Sequence, residues 1–357
     1  ARKLEEGGAD LSPRFRTGLA VVVLGAVAAE LLFSARFLPH TDATLPRAYT
    51  DLRPATAHLV AASRAAVAGD EAPDRFLSMT QTLFEIGDRR EIELEYSDHL
   101  SEGALWSYLV ATKQREVLIP NLPLAFRVPA ADGYDGGLLP LRHYIAFSKL
   151  LLSEGTTDGR LRENLSTIPD ERWLSLMGVR YLVTDKTMDA WVDDVFYDRQ
   201  FRPTLLSGDR MVIGWLPDQF AADGLSMLYT GDGGEVIVKL ADGREIRRRL
   251  PSSDTAEVPY RLLWSDVQIV TSVTFRAVDG PLALVGASLV DDRLGAFYPL
   301  ALSDQFWLVH SGDVKIYEAL TEVPRAFLVH DCRRVDSESE ALAVMRDPAF
   351  DPARTVV

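Results

Sequence analysis

The sequence predicts an α+β ectodomain with an inserted antiparallel β-sandwich of jelly-roll-like form, preceded by one transmembrane helix. Three observations predict this: an apolar run near the start, a mixture of helical and strand patterns after it, and a succession of strand-like runs between about 205 and 300. The 357 residues suffice for roughly two or three domains. A 47% hydrophobic share is that of an ordinary packed protein, which excludes disorder, collagen and coiled coil. Lys and Arg number 38 against 52 Asp and Glu, a formal net charge of −14, so a polyanion is repelled and nucleic acid is not an expected partner. Cys332 is the single cysteine, which closes no intrachain disulfide and builds no zinc site. No cofactor is implied.

Leu19 to Leu38 holds 20 residues, 16 of them apolar, and at 1.5 Å per residue it spans about 30 Å, the thickness of a hydrocarbon core. Glu30, Ser34 and Arg36 interrupt it toward the exit end, where long side chains reach the interface. A buried helix and the apolar core of a signal peptide share the pattern, because the uninterrupted run Leu19 to Ala29 is only 11 residues. Arg2, Lys3, Arg14 and Arg16 precede it, and the positive-inside rule then places residues 39–357 outside the cytoplasm. The expected partition is a cytoplasmic or interfacial segment over 1–16, a transmembrane helix over 17–38, and an α+β domain over 39–204. A β-sandwich insert over 205–300 follows, and the α+β domain returns over 301–357. The absence of an initiator Met and the abrupt end at Val357 read as a piece of a longer protein.

Tyr49 to Val67 reads as one amphipathic helix, interrupted by Pro54 and ended by Gly69. Arg75 to Leu83, Glu91 to Tyr96, Leu105 to Ala111 and Glu116 to Ile119 carry β-branched or aromatic residues, and some should be strands, although Leu105 to Ala111 fits a helix equally. Four prolines and three glycines from Pro120 to Pro140 predict a long irregular loop. Helical stripes follow over Arg142 to Ser153 and Asp170 to Met177, then a buried strand over Val179 to Thr184. Beyond Phe201 come strand-like runs over Met211 to Leu216, Glu235 to Leu240, Glu245 to Leu250, Val267 to Val278 and Leu282 to Val290. Asp242-Gly243 and Asp279-Gly280 supply turn signals between them. Val314 to Glu318 and Arg325 to Val329 are further expected strands, and Ser337 with Glu340 has capping-box spacing.

The six histidines are scattered without helical pairing, and no nucleophile elbow, Walker loop or dinucleotide fingerprint is present. Asp193-Asp194 and Asp291-Asp292 read as solvated pairs, since neighbours in a strand point to opposite faces. Cys332 is expected to be a small, buried or semi-buried, inert side chain. The exception is the stretch 121–144, where Asn121, Asp132, Tyr134, Asp135, Arg142, His143 and Tyr144 surround a glycine-rich loop. Such mixtures bind sugars and phosphosugars, with carboxylates and amides to hydroxyls, a ring to the sugar face and Arg to phosphate; the same residues equally satisfy a loop's own backbone. Trp215, Tyr229, Tyr260 and Trp264 are either a sugar-stacking face or sandwich core.

In order, the chain carries Asn121-Leu122-Pro123, Gly133-Tyr134-Asp135-Gly136-Gly137-Leu138-Leu139-Pro140, Gly178-Val179-Arg180-Tyr181, Lys315-Ile316-Tyr317-Glu318 and Pro324-Arg325-Ala326-Phe327. These motifs resemble the C-terminal part of YfhO-type bacterial membrane proteins, relatives of the GT-C glycosyltransferases, over about residues 17–357. The region 205–300 resembles galactose-binding-like modules in general pattern only. The resemblance implies transfer of a sugar from a polyprenyl-phosphate donor, a membrane lipid, to a glycan acceptor in the cell envelope. It implies that this chain is the accessory, substrate-positioning part, with the catalytic acid in an earlier outside loop and no catalytic residue here. A non-enzymatic carbohydrate-binding or structural domain at the cell surface is the alternative.

Overall fold

A computed structural model describes residues 13–35, 44–80, 83–132, 141–152, 161–217, 219–321, 323–324 and 326–357. The chain divides into two compact units, Ala1–Thr50 with Asp88–Ala111, and Asp51–Gly87 with Thr112–Val357. Helix α1 (Pro13–Ala35) confirms the apolar run as a helix. Its stretch Thr17–Ala35 is long and apolar enough to cross a membrane, at about 28 Å. None of that stretch is buried, and Leu24, Leu31 and Leu32 face outward, so much of the apolar surface of the helix is left exposed.

The helix expected over 49–67 is two, α2 (Arg47–Thr50) and α3 (Pro54–Ala68). Pro54 begins α3 instead of kinking it, because a proline drives the preceding residue out of the helical region, and Arg53 is extended at φ −84°, ψ 159°. After β1 (Arg75–Ser78), Glu91 to Tyr96 belongs to a helix, α4 (Arg89–Tyr96). Ile92 and Tyr96 are buried four residues apart while Leu94 faces outward, which is helical and not strand spacing. Leu105 to Ala111 lies in α5 (Glu102–Glu116), which also takes Glu116 out of the expected strand. Within the expected loop lies a short helix, α6 (Leu122–Phe126), and Pro129 and Ala130 run beside β1, where Pro129 accepts the Phe76 N–H. Then come α7 (Arg142–Ser148), α8 (Leu161–Asn164) and α9 (Glu171–Leu176), the last capped by the Asp170 carboxylate and stopped before Gly178 at φ +67°.

The strands continue with β2 (Val179–Thr184), β3 (Ala190–Val192), β4 (Val195–Tyr197), β5 (Thr204–Leu205), β6 (Arg210–Ile213) and β7 (Ala221–Gly231). After them come β8 (Gly234–Leu240), β9 (Glu245–Leu250), β10 (Tyr260–Ala277), β11 (Leu282–Asp291) and β12 (Ala296–Leu300). Finally β13 (Phe306–Ser311), β14 (Lys315–Ala319), β15 (Asp331–Cys332), α10 (Glu338–Arg346) and β16 (Thr355–Val356) close the chain. Ser337 caps α10 by accepting the Glu340 N–H, and Glu340 reaches back to the Asp336 N–H, as the spacing predicted. Residues 327–330 form no strand; the pairing falls at β15 with β16, which leaves Cys332 exposed and not semi-buried.

A four-stranded sheet has the order β1-β2-β14-β13. β2 pairs directly with β14, Tyr181 opposite Glu318 and Thr184 opposite Lys315, so the chain leaves this sheet after residue 184 and returns at 306. Trp173, Leu174, Leu77, Leu182 and Tyr317 form its core with the helices α7 to α9. The departing segment makes a second, eight-stranded sheet in the order β12-β11-β7-β10-β8-β9, with β5 on β11 and β6 on β10, every one of its pairings antiparallel. Its first half of β10 pairs with β7 and its second half with β8 and β6, with irregularities after Leu263 and Val270. One 18-residue strand serving three ladders makes the sheet curl, and both arms feed one apolar core that includes Met227, Val238, Phe275 and Leu289. The strands expected over 205–300 are thus present within a mixed α+β chain, as one curled sheet in place of the expected sandwich.

Asp242-Gly243 makes the predicted hairpin between β8 and β9, with Gly243 at φ +88°. Asp279-Gly280 does not: β10 and β11 flank β7, so this turn is a corner and not a hairpin. It abuts the β7–β8 corner, where Gly231 has φ +126° and a Cβ there would lie 2.1 Å from the Pro281 oxygen. At Gly243 the same atom would meet open space. Gly243→Ala should therefore cost only the backbone strain of about 1–2 kcal/mol, and Gly231→Ala about 1–3 kcal/mol more from overpacking. Urea unfolding of the two variants checks the order.

At the start of α9, burial lifts the Glu171 carboxyl from 4.5 to about 7, against a hydrogen bond from the Thr321 N–H, with Asp304 and Asp170 adding to the rise. The folded state holds this proton more tightly than the unfolded chain. Its contribution is full below pH 4.5 and is lost as pH rises through about 7. Glu171→Gln should gain thermal stability relative to the parent chain at pH 8 and lose that advantage at pH 4.5.

Candidate functional site

β2 ends at Thr184, and the next residue, Asp185, turns the chain by accepting the Thr187 N–H and hydroxyl on one oxygen and the Thr80 hydroxyl on the other. Two further carboxylates flank the β3–β4 hairpin, Asp189 before it and Asp198 after it. Both meet Lys315 of β14, whose Nζ lies 2.8 Å from Asp189 Oδ1 and 2.8 Å from Asp198 Oδ1 with none of the lysine side chain exposed. Residues two apart in a strand share a face, so Tyr317 joins the same cluster and donates its hydroxyl to Asp198 Oδ2 at 2.6 Å. The Arg199 and Gln200 N–H groups complete the acceptors. Burial lifts the Asp189 carboxyl above its ordinary range, with Lys315 pulling it back, and its Oδ2 is sealed without a hydrogen-bond partner. The hairpin held in this way turns at Asp193-Asp194. These two residues are not opposite-facing strand neighbours: both have positive φ, 49° and 60°, the geometry of a two-residue hairpin turn.

A groove of about 420 Å³ opens beside this hairpin. One wall is aromatic: Trp191 meets Phe297 edge-on with ring centres 5.2 Å apart, and Phe196 lies 5.5 Å from Trp191. Lys186 stands over Phe196, its ammonium 4.8 Å from the ring centre. Burial lowers the Lys186 pKa, opposed by Asp189 and reinforced by Lys315. The other wall is β13 at its irregularity between Leu308 and His310, with Val309, His310 and Ser311 lining the groove. The His310 ring lies over Gly312, where a Cβ would come within 2.7 Å of Nε2. Its centre is 6.1 Å from His58 of α3. Burial, His58 and Lys186 all lower the His310 pKa, against Asp313, and burial lowers that of His58 against Glu318. Both rings are therefore neutral near pH 7. Asp313 anchors the β13–β14 turn by accepting from Arg53 and from the Gly87 N–H. Among the described residues no group of three or more His, Cys, Asp or Glu could hold a metal ion.

The residues expected to bind from the stretch 121–144 are placed differently. Tyr134 and Asp135 lie outside the described residues. Asn121 is exposed at the start of α6 with φ 76°. Asp132 faces inward beside the buried Arg162, which donates to the backbone oxygens of Thr80, Val117 and Leu118; burial lifts the Asp132 carboxyl and Arg162 opposes this. Arg142 is exposed and pairs with Glu338 at 3.2 Å, and Tyr144 packs on the core of the four-stranded sheet. Of the four aromatics, Tyr229 is core, Tyr260 packs on it, and Trp264 donates to the Ala222 oxygen, leaving Trp215 exposed. Asp291 and Asp292 pair with Arg293 and Arg261. The groove residues Lys186, Trp191, Phe297 and His310 come from four separate segments. The one local signal was an aromatic on each arm of a two-residue turn, Trp191 and Phe196 about Asp193-Asp194.

No family model and no curated protein matches the chain. Among solved structures it is similar to a glycoside hydrolase family 43 arabinoxylan arabinofuranohydrolase from Bacillus subtilis in complex with cellotetraose. There the identity is 17% over 32% of this chain and 25% of that one, with a TM-score of 0.20. A family two carbohydrate esterase from Cellvibrio japonicus is 10% identical over 43% of this chain and 35% of that one, with a TM-score of 0.16. The chain spans about a quarter to a third of the length of these proteins, and likeness at this level carries neither fold nor function.

Removing the ammonium from the Lys315 cluster leaves two buried carboxylates uncompensated. Lys315→Met should therefore cost about 3–5 kcal/mol, measured by urea unfolding, with the loss smaller at pH 4.5 than at pH 8 because protonation of Asp189 relieves it.

Proposed function

We propose that this chain is the membrane-tethered, extracytoplasmic part of a polytopic lipid-linked sugar transferase, and that it positions an anionic sugar in the groove beside Lys186. One observation carries the reading: the described lining of the groove joins an exposed indole and two phenyl rings to a single cation, Lys186, with no carboxylate in the wall. The wall itself carries this cation and no carboxylate, while Asp189, Asp313 and Asp198 act on Lys186 from behind it. A sugar ring stacks its apolar face on Trp191 and Phe297, and its carboxylate or phosphate pairs with Lys186. A sugar joined to a polyprenyl phosphate has that combination of ring and anion. The exposed apolar surface of α1 supports the tether, and the basic residues ahead of it support residues 39–357 lying outside the cytoplasm. The resemblance of the ordered motifs to those of YfhO-type proteins supports the sugar-transferase context. In this reading the curled sheet is the jelly-roll-like module set into the α+β domain. Acid or base catalysis is assigned to no residue of this chain.

Calorimetric titration of the full chain in detergent tests the groove. Glucose 1-phosphate should bind and glucose should not, Lys186→Met should abolish binding, and Trp191→Ala should weaken it about tenfold, the equivalent of ~1.4 kcal/mol. Equal affinity for the neutral and charged sugars, or binding of neither, rejects the reading. Orientation is readable from the single native cysteine, which is exposed. A membrane-impermeant maleimide should label Cys332 on intact cells and leave the Cys332→Ser variant blank; labelling that requires permeabilisation places the domain inside.

A further inference from the structure

The groove does not end at Tyr298. A second cavity of about 200 Å³ shares Tyr298, Pro299 and Leu308 with it. Along β12 the first cavity takes Phe297, both take Tyr298 and Pro299, and the second takes Leu300. Along β13 the order reverses: Phe306 and Trp307 line the second, Leu308 both, and Val309 and His310 the first. The two cavities therefore meet at Tyr298, Pro299 and Leu308 and follow one another along the seam between neighbouring edge strands.

The far end is built from Trp215 and Trp307, whose ring centres lie 6.0 Å apart with planes inclined by 35°. Trp215 is 57% exposed, a large apolar ring left in water with a partner indole behind it. Asp304, exposed, is the carboxylate of this lining. The two ends thus differ in charge: a cation beside an aromatic wall at one, an anion beside an indole pair at the other. A peptide strand does not fit the seam. The Leu308 oxygen on the β13 edge is already engaged by the Tyr298 hydroxyl at 3.0 Å, and the irregularity at Val309 breaks the run of edge donors and acceptors.

We propose that the seam between β12 and β13 is an oligosaccharide cleft with two ring subsites. It takes an anionic sugar residue between Lys186 and Trp191 and a neutral residue stacked on Trp215 and Trp307, with hydroxyls donating to Asp304. This rests on the sugar reading of the first groove and adds the length, polarity and direction of the ligand. Asp304 sets the direction by repelling the charged residue from its end.

The test titrates the full chain in detergent with three probes: glucuronate, the disaccharide of glucuronate linked to xylose, and neutral xylobiose. The disaccharide should bind at least tenfold more tightly than glucuronate, and xylobiose at least tenfold more weakly than the disaccharide. Trp215→Ala should bring the disaccharide down to the affinity of glucuronate while leaving glucuronate itself unchanged, whereas Lys186→Met should weaken both. If glucuronate binds through Lys186 but the disaccharide gains nothing, or Trp215→Ala leaves its affinity unaltered, the second subsite is overturned and the groove reading stands. If glucuronate and the disaccharide both fail to bind the parent chain while glucose 1-phosphate binds, the cleft is overturned and the groove reading stands; if none of the three binds, both readings fall. Unchanged circular dichroism of Trp215→Ala, whose ring is exposed, confirms that the fold is intact.

Discussion

The buried ammonium of Lys315 is the constraint on which the candidate site depends. It lies on β14, an inner strand of the four-stranded sheet, and is held by carboxylates from both sides of the β3–β4 hairpin. An ammonium taken out of water is best tolerated where its partners are close and their other lone pairs are occupied. Here the Tyr317 hydroxyl and the Gln200 N–H serve Asp198 and the Arg199 N–H serves Asp189 Oδ1, while Asp189 Oδ2 stays buried without a hydrogen-bond partner. The hairpin is consequently fixed by charge at its base and by apolar packing of Val195 and Tyr197 with Leu228 and Val290, and Trp191 and Phe196 are presented beside Lys186.

The curled sheet supplies the other wall. Because β10 pairs with β7 along its first half and with β8 and β6 along its second, the sheet must bend about this strand. The corners that allow the bend bring two backbones so close that Gly231 has no room for a side chain. Its outer strand β12 then lies beside β13, the edge of the other sheet, and the two edges do not hydrogen-bond into one ladder. Two adjacent but unmerged edges leave a seam. The Tyr298 hydroxyl bridging to the Leu308 oxygen ties them at one point while the cavities open on either side of it.

The loop between Asn121 and Tyr144 looked like a binding site because it concentrates polar and aromatic residues. In the described part of it, Asp132 lies beside Arg162, Arg142 pairs with Glu338 and Tyr144 packs on the core. Local composition shows that polar groups need partners without showing which partners they find. The groove had the opposite property. Lys186 reads in sequence as an ordinary loop lysine, and only the aromatic rings on both arms of Asp193-Asp194 hint at an exposed ring cluster.

The sequence by itself determined the apolar length of α1, the capping of α10, the Asp-Gly hairpin between β8 and β9 and the existence of most strands, because each is a contest among neighbours within a few residues. It also determined that the segments at 179–184 and 315–319 are strands of like character, which the structure joins. Helix against strand at Glu91 to Tyr96 was decided by tertiary burial of Ile92 and Tyr96, since short apolar alternations satisfy either period. The long central strand β7, the single curled sheet and the site were tertiary decisions. Pairing partners, the sealing of Lys315 between Asp189 and Asp198, and the meeting of Trp191 with Phe297 and of Trp215 with Trp307 all join residues far apart in the chain. Their energy comes from water excluded between surfaces that local sequence cannot bring together.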